Sequence, residues 1–202
     1  MNRRAMTNAF RIIAALLLPL ALVACGGGSP APAKPPLDGA AIGGPFTLVD
    51  KANKPVTWSQ FDGRYRIVYF GYTFCPDACP MDVQKMMQGF ALFEKAQPAL
   101  ARQVQPIFVT IDPARDTPQA VGEFAAAFSP RLMGLTGTQA QIDAAAKAFA
   151  IYHAKGKESA GGYLMDHSRT AYLMGRKGEP IVMLPVDKEP QDVAAELAKW
   201  VK

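Results

Sequence analysis

RIVYFGYTFCPDACP, residues 66–80, joins two kinds of local pattern. After Arg66 its first part is an unbroken apolar and aromatic run, the pattern of a strand buried on both faces. That run feeds directly into a segment holding Cys75 and Cys79, four residues apart, and then into MDVQKMMQGFALFEKAQ, which predicts a helix over residues 81–97. Pro80 suits the first helical position, where its missing N–H would be unpaired anyway, and Pro98 stops the helix. On helical geometry a separation of four residues is about one turn, roughly 6 Å of rise, so both sulfurs can face one point. A helix N-terminus carries partial positive charge and unpaired N–H groups, and both favour thiolate over thiol.

Working outward, PFTLVDKANKPVTWSQF (residues 45–61) has two short β-branched runs around turn residues 50–55 and predicts a hairpin. QPIFVTI (105–111) is a second buried strand. DPARDTP (112–118) follows as a loop ending in an N-cap for a helix that runs through Phe128. A strand over 132–136 precedes Thr138, whose hydroxyl stands three residues before Gln141, a capping-box spacing for a helix reaching Ala150. A Gly-rich stretch over 155–162 changes the rhythm. Residues 170–174 and 180–185 then form a hairpin around 175–178, and 191–202 close the chain as a helix. The order ββ, βαβαβα, ββα predicts an α/β domain whose sheet takes parallel strands from right-handed crossovers and antiparallel strands from the last hairpin. A thioredoxin-like fold has that order, here with an N-terminal β-hairpin extension.

The chain of 202 residues carries a formal charge of +5. Its start, MNRRAMTNAFR, is basic without an acid and is followed by IIAALLLPLALVA, an apolar run of about a dozen residues that is too short for a comfortable membrane span. Residues 1–24 read as a lipoprotein signal peptide, and Leu22-Val23-Ala24-Cys25 resembles the lipobox in which Cys25 becomes the acylated first mature residue. This places the protein on the periplasmic side of a bacterial membrane, held by a lipid anchor. Losing Arg3, Arg4 and Arg11 with the signal takes the charge from +5 to +2, so the basic balance partly reflects targeting. No run of Lys and Arg with interleaved aromatics points to nucleic acid. GGGSPAPAKPPLDGA has no periodic apolar face, so residues 25–41 read as lipidated Cys and linker, and 42–202 as the domain.

With Cys25 assigned to lipid, Cys75 and Cys79 remain as an exported pair that must be oxidised, metallated or kept reduced. As a structural disulfide the pair closes a very short loop and constrains the unfolded chain little. As a redox pair it has one residue more than the C-x-x-C of thioredoxins, which alters geometry and reduction potential. As a metal site, two soft thiolates select Cu(I) or Zn over hard cations. A third ligand decides among these. Of two histidines, His153 lies near a helix end and reads as a surface residue. His167 stands in YLMDHS just before the strand TAYLM, where a thioredoxin-like fold has the proline that faces its cysteines. No proline is there, and an imidazole at that seat completes an S2N set suited to copper in either oxidation state. Met81, Met86 and Met87 could suggest a further copper route, but their helical spacing is that of core packing.

These pieces, GYTFCPDACP, VTIDPARDTP (109–118) and YLMDHS (163–168), together resemble the Sco (SenC-like) family of copper proteins that help assemble cytochrome c oxidase, in the family's order and over residues 42–200. The resemblance implies a thioredoxin-like fold and one copper ion, Cu(I) or Cu(II), held by Cys75, Cys79 and His167. It further implies a metallochaperone role in maturing the binuclear copper centre. The implied partners are oxidase subunit II or a related copper-site protein, and a periplasmic copper donor or thiol reductant. Asp77 and Asp112 match polar positions of the family near the site. Turn chemistry accounts equally for Asp77, and an Asx-turn and cap for Asp112 and Asp116. The alternative is a thiol-disulfide oxidoreductase that uses Cys75 and Cys79 as its catalytic pair to reduce the oxidase cysteines or to sense redox state. A peroxide-reducing enzyme fits less well, because position 72 is Tyr and Thr73 stands only two before Cys75, unlike a Thr-x-x-Cys motif.

Overall fold

A computed structural model describes residues 34–158 and 162–202; the expected signal peptide and the acylated Cys25 lie outside the described residues. The hairpin forms as its pattern predicts: β1 (Thr47–Val49) pairs antiparallel with β2 (Pro55–Thr57). The Asp50 carboxylate closes its turn by accepting the N–H groups of Ala52 and Lys54 at 2.9 Å each. A 3-10 turn, Trp58–Phe61, leads to β3 (Tyr65–Gly71), all of whose residues are buried. The helix α1 (Ala78–Ala96) follows, and after the short α2 (Pro98–Ala101) comes β4 (Val104–Thr110). Next are α3 (Pro118–Phe128), β5 (Met133–Leu135) and α4 (Gln139–Ala148). The chain finishes with β6 (His153–Lys155), β7 (Met165–His167), β8 (Ala171–Met174), β9 (Pro180–Leu184) and α5 (Pro190–Trp200).

The five-stranded sheet has the order β5-β4-β3-β8-β9, with β3 parallel to β4, β4 parallel to β5, and β8 antiparallel to both β3 and β9. This is a thioredoxin-like fold with its helices divided between the two faces. Successive strand residues point to opposite faces. Tyr69 meets α1 through its hydroxyl on Asp82, and Phe108, paired beside it, meets Phe124 of α3 with ring centroids 4.8 Å apart. Phe70 points the other way, to Phe149 just past α4, which in turn packs on Phe46 and Trp58 of the hairpin region. Gly89 lets α5 cross α1 closely, since a Cβ there would stand 2.6 Å from both the Pro190 oxygen and Val193 Cβ.

Two local signals are realised in detail. Thr117 caps α3, its hydroxyl accepting the Ala120 N–H at 3.2 Å, and Thr138 and Gln141 form the reciprocal capping box of α4. Elsewhere the structure departs from the expectations. The helix expected over 81–97, with Pro80 at its first position, begins at Ala78, so Cys79 lies inside its first turn and Pro80 takes the third position. Proline is tolerated there because first-turn N–H groups have no intrahelical partner. The residues on either side of the Gly-rich stretch, for which no strand was expected, form an antiparallel ribbon, β6 with β7, that places His153 opposite His167. At three residues each, and only partly buried, these strands carry no alternating pattern to read. Leu37, in the stretch read as linker, donates its N–H to the Ile181 carbonyl at 3.0 Å and packs against the core.

Candidate metal centre

Three chain segments meet at one end of the sheet: the loop after β3, the loop after β4, and the residues from Tyr163 into β7 and on to β8. The first carries Cys75 and Cys79. Cys75 is partly exposed, and its Sγ accepts the Cys79 N–H at 3.4 Å, one helical turn closing on itself. Cys79 is fully buried against Gly71, where a Cβ would lie 3.3 Å from the sulfur and nearer still to Tyr69 and Phe108. Both thiols are free.

His167, 88 residues further on, brings its Nε2 to 3.1 Å from Cys79 Sγ. Its other nitrogen, Nδ1, lies 2.9 Å from the Ser168 carbonyl. A carbonyl can only accept, so the neutral ring carries its proton on Nδ1 and turns the Nε2 lone pair toward the sulfur, the tautomer a metal ligand needs. Tyr69 and Tyr72 stand edge-on to the imidazole, with interplanar angles of 90° and 86°. Among the described residues, no three His, Cys, Asp or Glu side chains already stand in metal-holding geometry. The arrangement is a Cys79–His167 pair with Cys75 beside it.

The electrostatics separate the two cysteines. Burial opposes the Cys75 thiolate, but the N–H groups of Cys79 and Asp77 and hydrogen bonds from the Cys79 thiol and Tyr72 hydroxyl outweigh it, leaving this thiol below its ordinary value. For Cys79 burial wins and pushes the thiol far up, with Cys75 adding to the rise. Burial also holds His167 below the ordinary imidazole value, against the pull of the Ser168 carbonyl and the Asp82 charge, so it is neutral at pH 7. Tyr72 is pushed up to about 12, first by burial, so its hydroxyl keeps its proton.

The acids predicted near the site do other work. Asp77 is the N-cap of α1, exposed and without a side-chain cap hydrogen bond; its contribution is its N–H toward Cys75. Asp112 is buried and holds loops together: Oδ2 accepts Arg115 Nε at 2.5 Å and Oδ1 accepts the Tyr163 hydroxyl at 2.8 Å. Asp116, fully buried, accepts the Thr73 N–H and hydroxyl at 3.0 and 2.6 Å and the Thr110 hydroxyl at 2.5 Å, and so ties the cysteine loop to β4. Met86 and Met87 are core residues and Met81 is exposed. His153 is half-buried, with its Nε2 3.4 Å from Asp143. Sequence reasoning missed Asp82, Arg169, Tyr163 and Arg115. Only Asp82 carried a local signal, an acid on the apolar helix stripe three residues after Cys79 and four before Met86.

A soft pair of sulfurs with one inward imidazole lone pair fits a thiophilic metal such as copper or zinc. The SCO1/SenC family pattern matches residues 34–202. The chain is 37% identical over 162 residues to "Protein SCO1 homolog, mitochondrial" of Mus musculus, an alignment covering 80% of this chain and 56% of that one. It thus spans little more than half the length of this curated relative. Among solved structures, copper-bound ScoI of Bradyrhizobium japonicum superposes with a TM-score of 0.71 at 35% identity, covering 79% of this chain and 99% of that one. BsSco, described as having a disulfide switch and as a member of the Sco family of cytochrome c oxidase assembly proteins, superposes at 0.61 with 25% identity, covering 81% and 96%.

The split between the two thiols has a direct consequence. Iodoacetamide added to the reduced protein at about pH 7.5 should modify Cys75 well ahead of Cys79, at a rate that climbs with pH as the Cys75 thiolate fills, with its midpoint below that of an ordinary cysteine thiol. Peptide mapping by mass spectrometry reads the order; equal rates, or Cys79 first, contradict it.

Proposed function

This chain belongs to the SCO1/SenC family, and from that premise we propose that it is a copper metallochaperone in which Cys75, Cys79 and His167 hold one copper ion as cargo. The observation that carries the reading is the 3.1 Å approach of His167 Nε2 to Cys79 Sγ, with the Cys75 sulfur hydrogen-bonded one turn away. The copper-bound state of the Bradyrhizobium japonicum relative supports the choice of metal. Loading releases the Cys79 proton to solvent, because a coordinating thiol is deprotonated outright. Delivery runs by stepwise ligand exchange. Cys75 is the accessible sulfur and the better leaving ligand, so an incoming partner thiolate replaces it first, while buried Cys79 and His167 let go last. The partner is cytochrome c oxidase subunit II or a related copper-site protein, a reading supported by the family description of BsSco.

A second reading is favoured by the unequal thiols. As a thiol-disulfide oxidoreductase, the Cys75 thiolate attacks a partner disulfide, forms a mixed disulfide and expels one partner thiolate. Cys79 then loses its proton to solvent and attacks Cys75 Sγ, closing a Cys75–Cys79 disulfide and expelling the second partner thiolate. The partner gains two electrons and this pair loses them.

Tethering follows from the N-terminus. Cys25 carries lipid and holds the domain at the periplasmic face of a bacterial membrane. Cys25→Ser should therefore move the protein from the membrane to the soluble fraction while copper binding stays unchanged. A wild-type protein found without lipid overturns the anchor.

The reduced protein should bind one copper, and Cys75→Ser, Cys79→Ser and His167→Ala should each weaken it by at least about 10-fold in competition with a chelator. Undiminished binding in His167→Ala rules out the three-ligand site.

The same variant separates the two readings. Disulfide reduction needs only the cysteines, whereas copper delivery needs all three ligands. A bacterial strain carrying His167→Ala should lose copper-dependent oxidase activity at low copper and regain it with added copper, while the purified variant still exchanges disulfides. Normal oxidase activity at low copper would assign the protein to the reductase role.

A further inference from the structure

His167 reaches Cys79 from a segment that is fastened at both ends by an arginine. At one end, Arg115 donates Nη1 to the Tyr163 carbonyl at 2.8 Å and stacks its guanidinium 3.6 Å from the Tyr163 ring centroid, while its Nε holds Asp112. Tyr163 in turn gives its hydroxyl to the second oxygen of Asp112. The same guanidinium lies 4.9 Å from the ring of Phe74, the residue before Cys75. At the other end, Arg169 grips buried Asp82 with both arms of its fork, Nε at 2.9 Å and Nη2 at 2.6 Å. Asp82 stands on α1, three residues after Cys79, and also accepts the Tyr69 hydroxyl at 2.9 Å. Each arginine therefore links the histidine segment to an element carrying a cysteine.

We propose that Arg115 and Arg169 are positioning residues: the two arginine–aspartate clamps hold residues 163–169 against the cysteine loop and α1 and thereby set the approach of His167 Nε2 to Cys79 Sγ. Neither arginine touches the metal ligands' donor atoms in this arrangement; both act through the backbone that carries His167. A bidentate fork fixes direction as well as distance, which a lysine ammonium cannot do. Between the clamps the segment is also held by the short β6–β7 ribbon, by the Gly156 N–H on the Leu164 carbonyl at 2.8 Å, and by Ser168, whose N–H donates to the Tyr152 carbonyl at 2.9 Å and whose hydroxyl accepts the Tyr152 N–H at 3.1 Å. An imidazole on a released segment loses its fixed geometry, and with it the preorganisation that makes a third ligand worth having. In its copper arm the inference rests on the chaperone reading above; in its metal-free arm it does not.

The test uses the reduced full chain and the variants Arg169→Gln, Arg169→Lys and Arg115→Lys. A buried Asp82 left unpaired can cost the fold itself, so the pair Asp82→Asn with Arg169→Gln removes both charges together. In the metal-free protein, amide exchange at Ser168 should quicken about 10-fold or more in each variant, while sheet amides of β3 and β4 stay as in the wild type. Copper affinity, read by chelator competition, should fall about 10- to 100-fold in Arg169→Gln and less in Arg169→Lys, which keeps charge without the fork. In a His167→Ala background the same arginine substitutions should change affinity by less than about 2-fold, since a residue acting through His167 has nothing left to act on. Unchanged Ser168 exchange in the folded variants, or an undiminished arginine effect without His167, overturns the clamps. A wild-type chain that binds no copper ends the chaperone reading while the exchange measurement still decides the clamps.

Discussion

The contact between Cys79 Sγ and His167 Nε2 joins residues 88 apart in the chain, and most of the architecture can be understood as what makes that contact possible. β3 lies between β4, which runs parallel to it, and β8, which runs antiparallel. The carboxyl ends of β3 and β4 therefore coincide with the amino end of β8. Loops leaving the first two strands and the segment entering the third meet at one rim of the sheet, the place where open α/β sheets build their sites. Gly71, with no side chain, lets the Cys79 sulfur settle onto the end of β3.

Burial then divides roles between two chemically identical side chains. Cys79 sits in the core, where the charged form is disfavoured, while Cys75 lies at the edge and receives backbone N–H groups from the start of α1. His167 is held neutral by the same burial, with its free lone pair inward. One accessible, acidic thiol beside a protonated thiol paired with a neutral imidazole is a combination that serves either soft-metal transfer or disulfide exchange. What distinguishes the two is whether the imidazole matters.

Three buried carboxylates organise this rim. Asp116 fastens the cysteine loop to β4, Asp112 fastens the β4 loop to Tyr163, and Asp82 fastens α1 to Arg169. Each accepts at least two hydrogen bonds, as a carboxylate removed from water must to remain tolerable. All three join segments that belong to different parts of the sequence.

What the sequence by itself determined were the features whose causes lie within one turn or one strand. The buried run of β3, the capping box at Thr138, the opening and closing hairpins and the spacing of Cys75 and Cys79 are all encoded by neighbours no more than a few residues apart. His167 was legible because the element order and the family resemblance pointed to the seat before β8. Tertiary structure alone decided the rest. Asp112 and Asp116 read equally well as turn residues, and only packing turned them into bridges, with the cap falling to Thr117 instead. The β6–β7 ribbon has too few residues for a period, and Arg115 and Arg169 look like ordinary surface cations until Tyr163 and Asp82 stand beside them. A hydrogen-bond partner 48 or 87 residues away leaves no periodic trace in a chain, because it is set by where the sheet brings the ends of its strands.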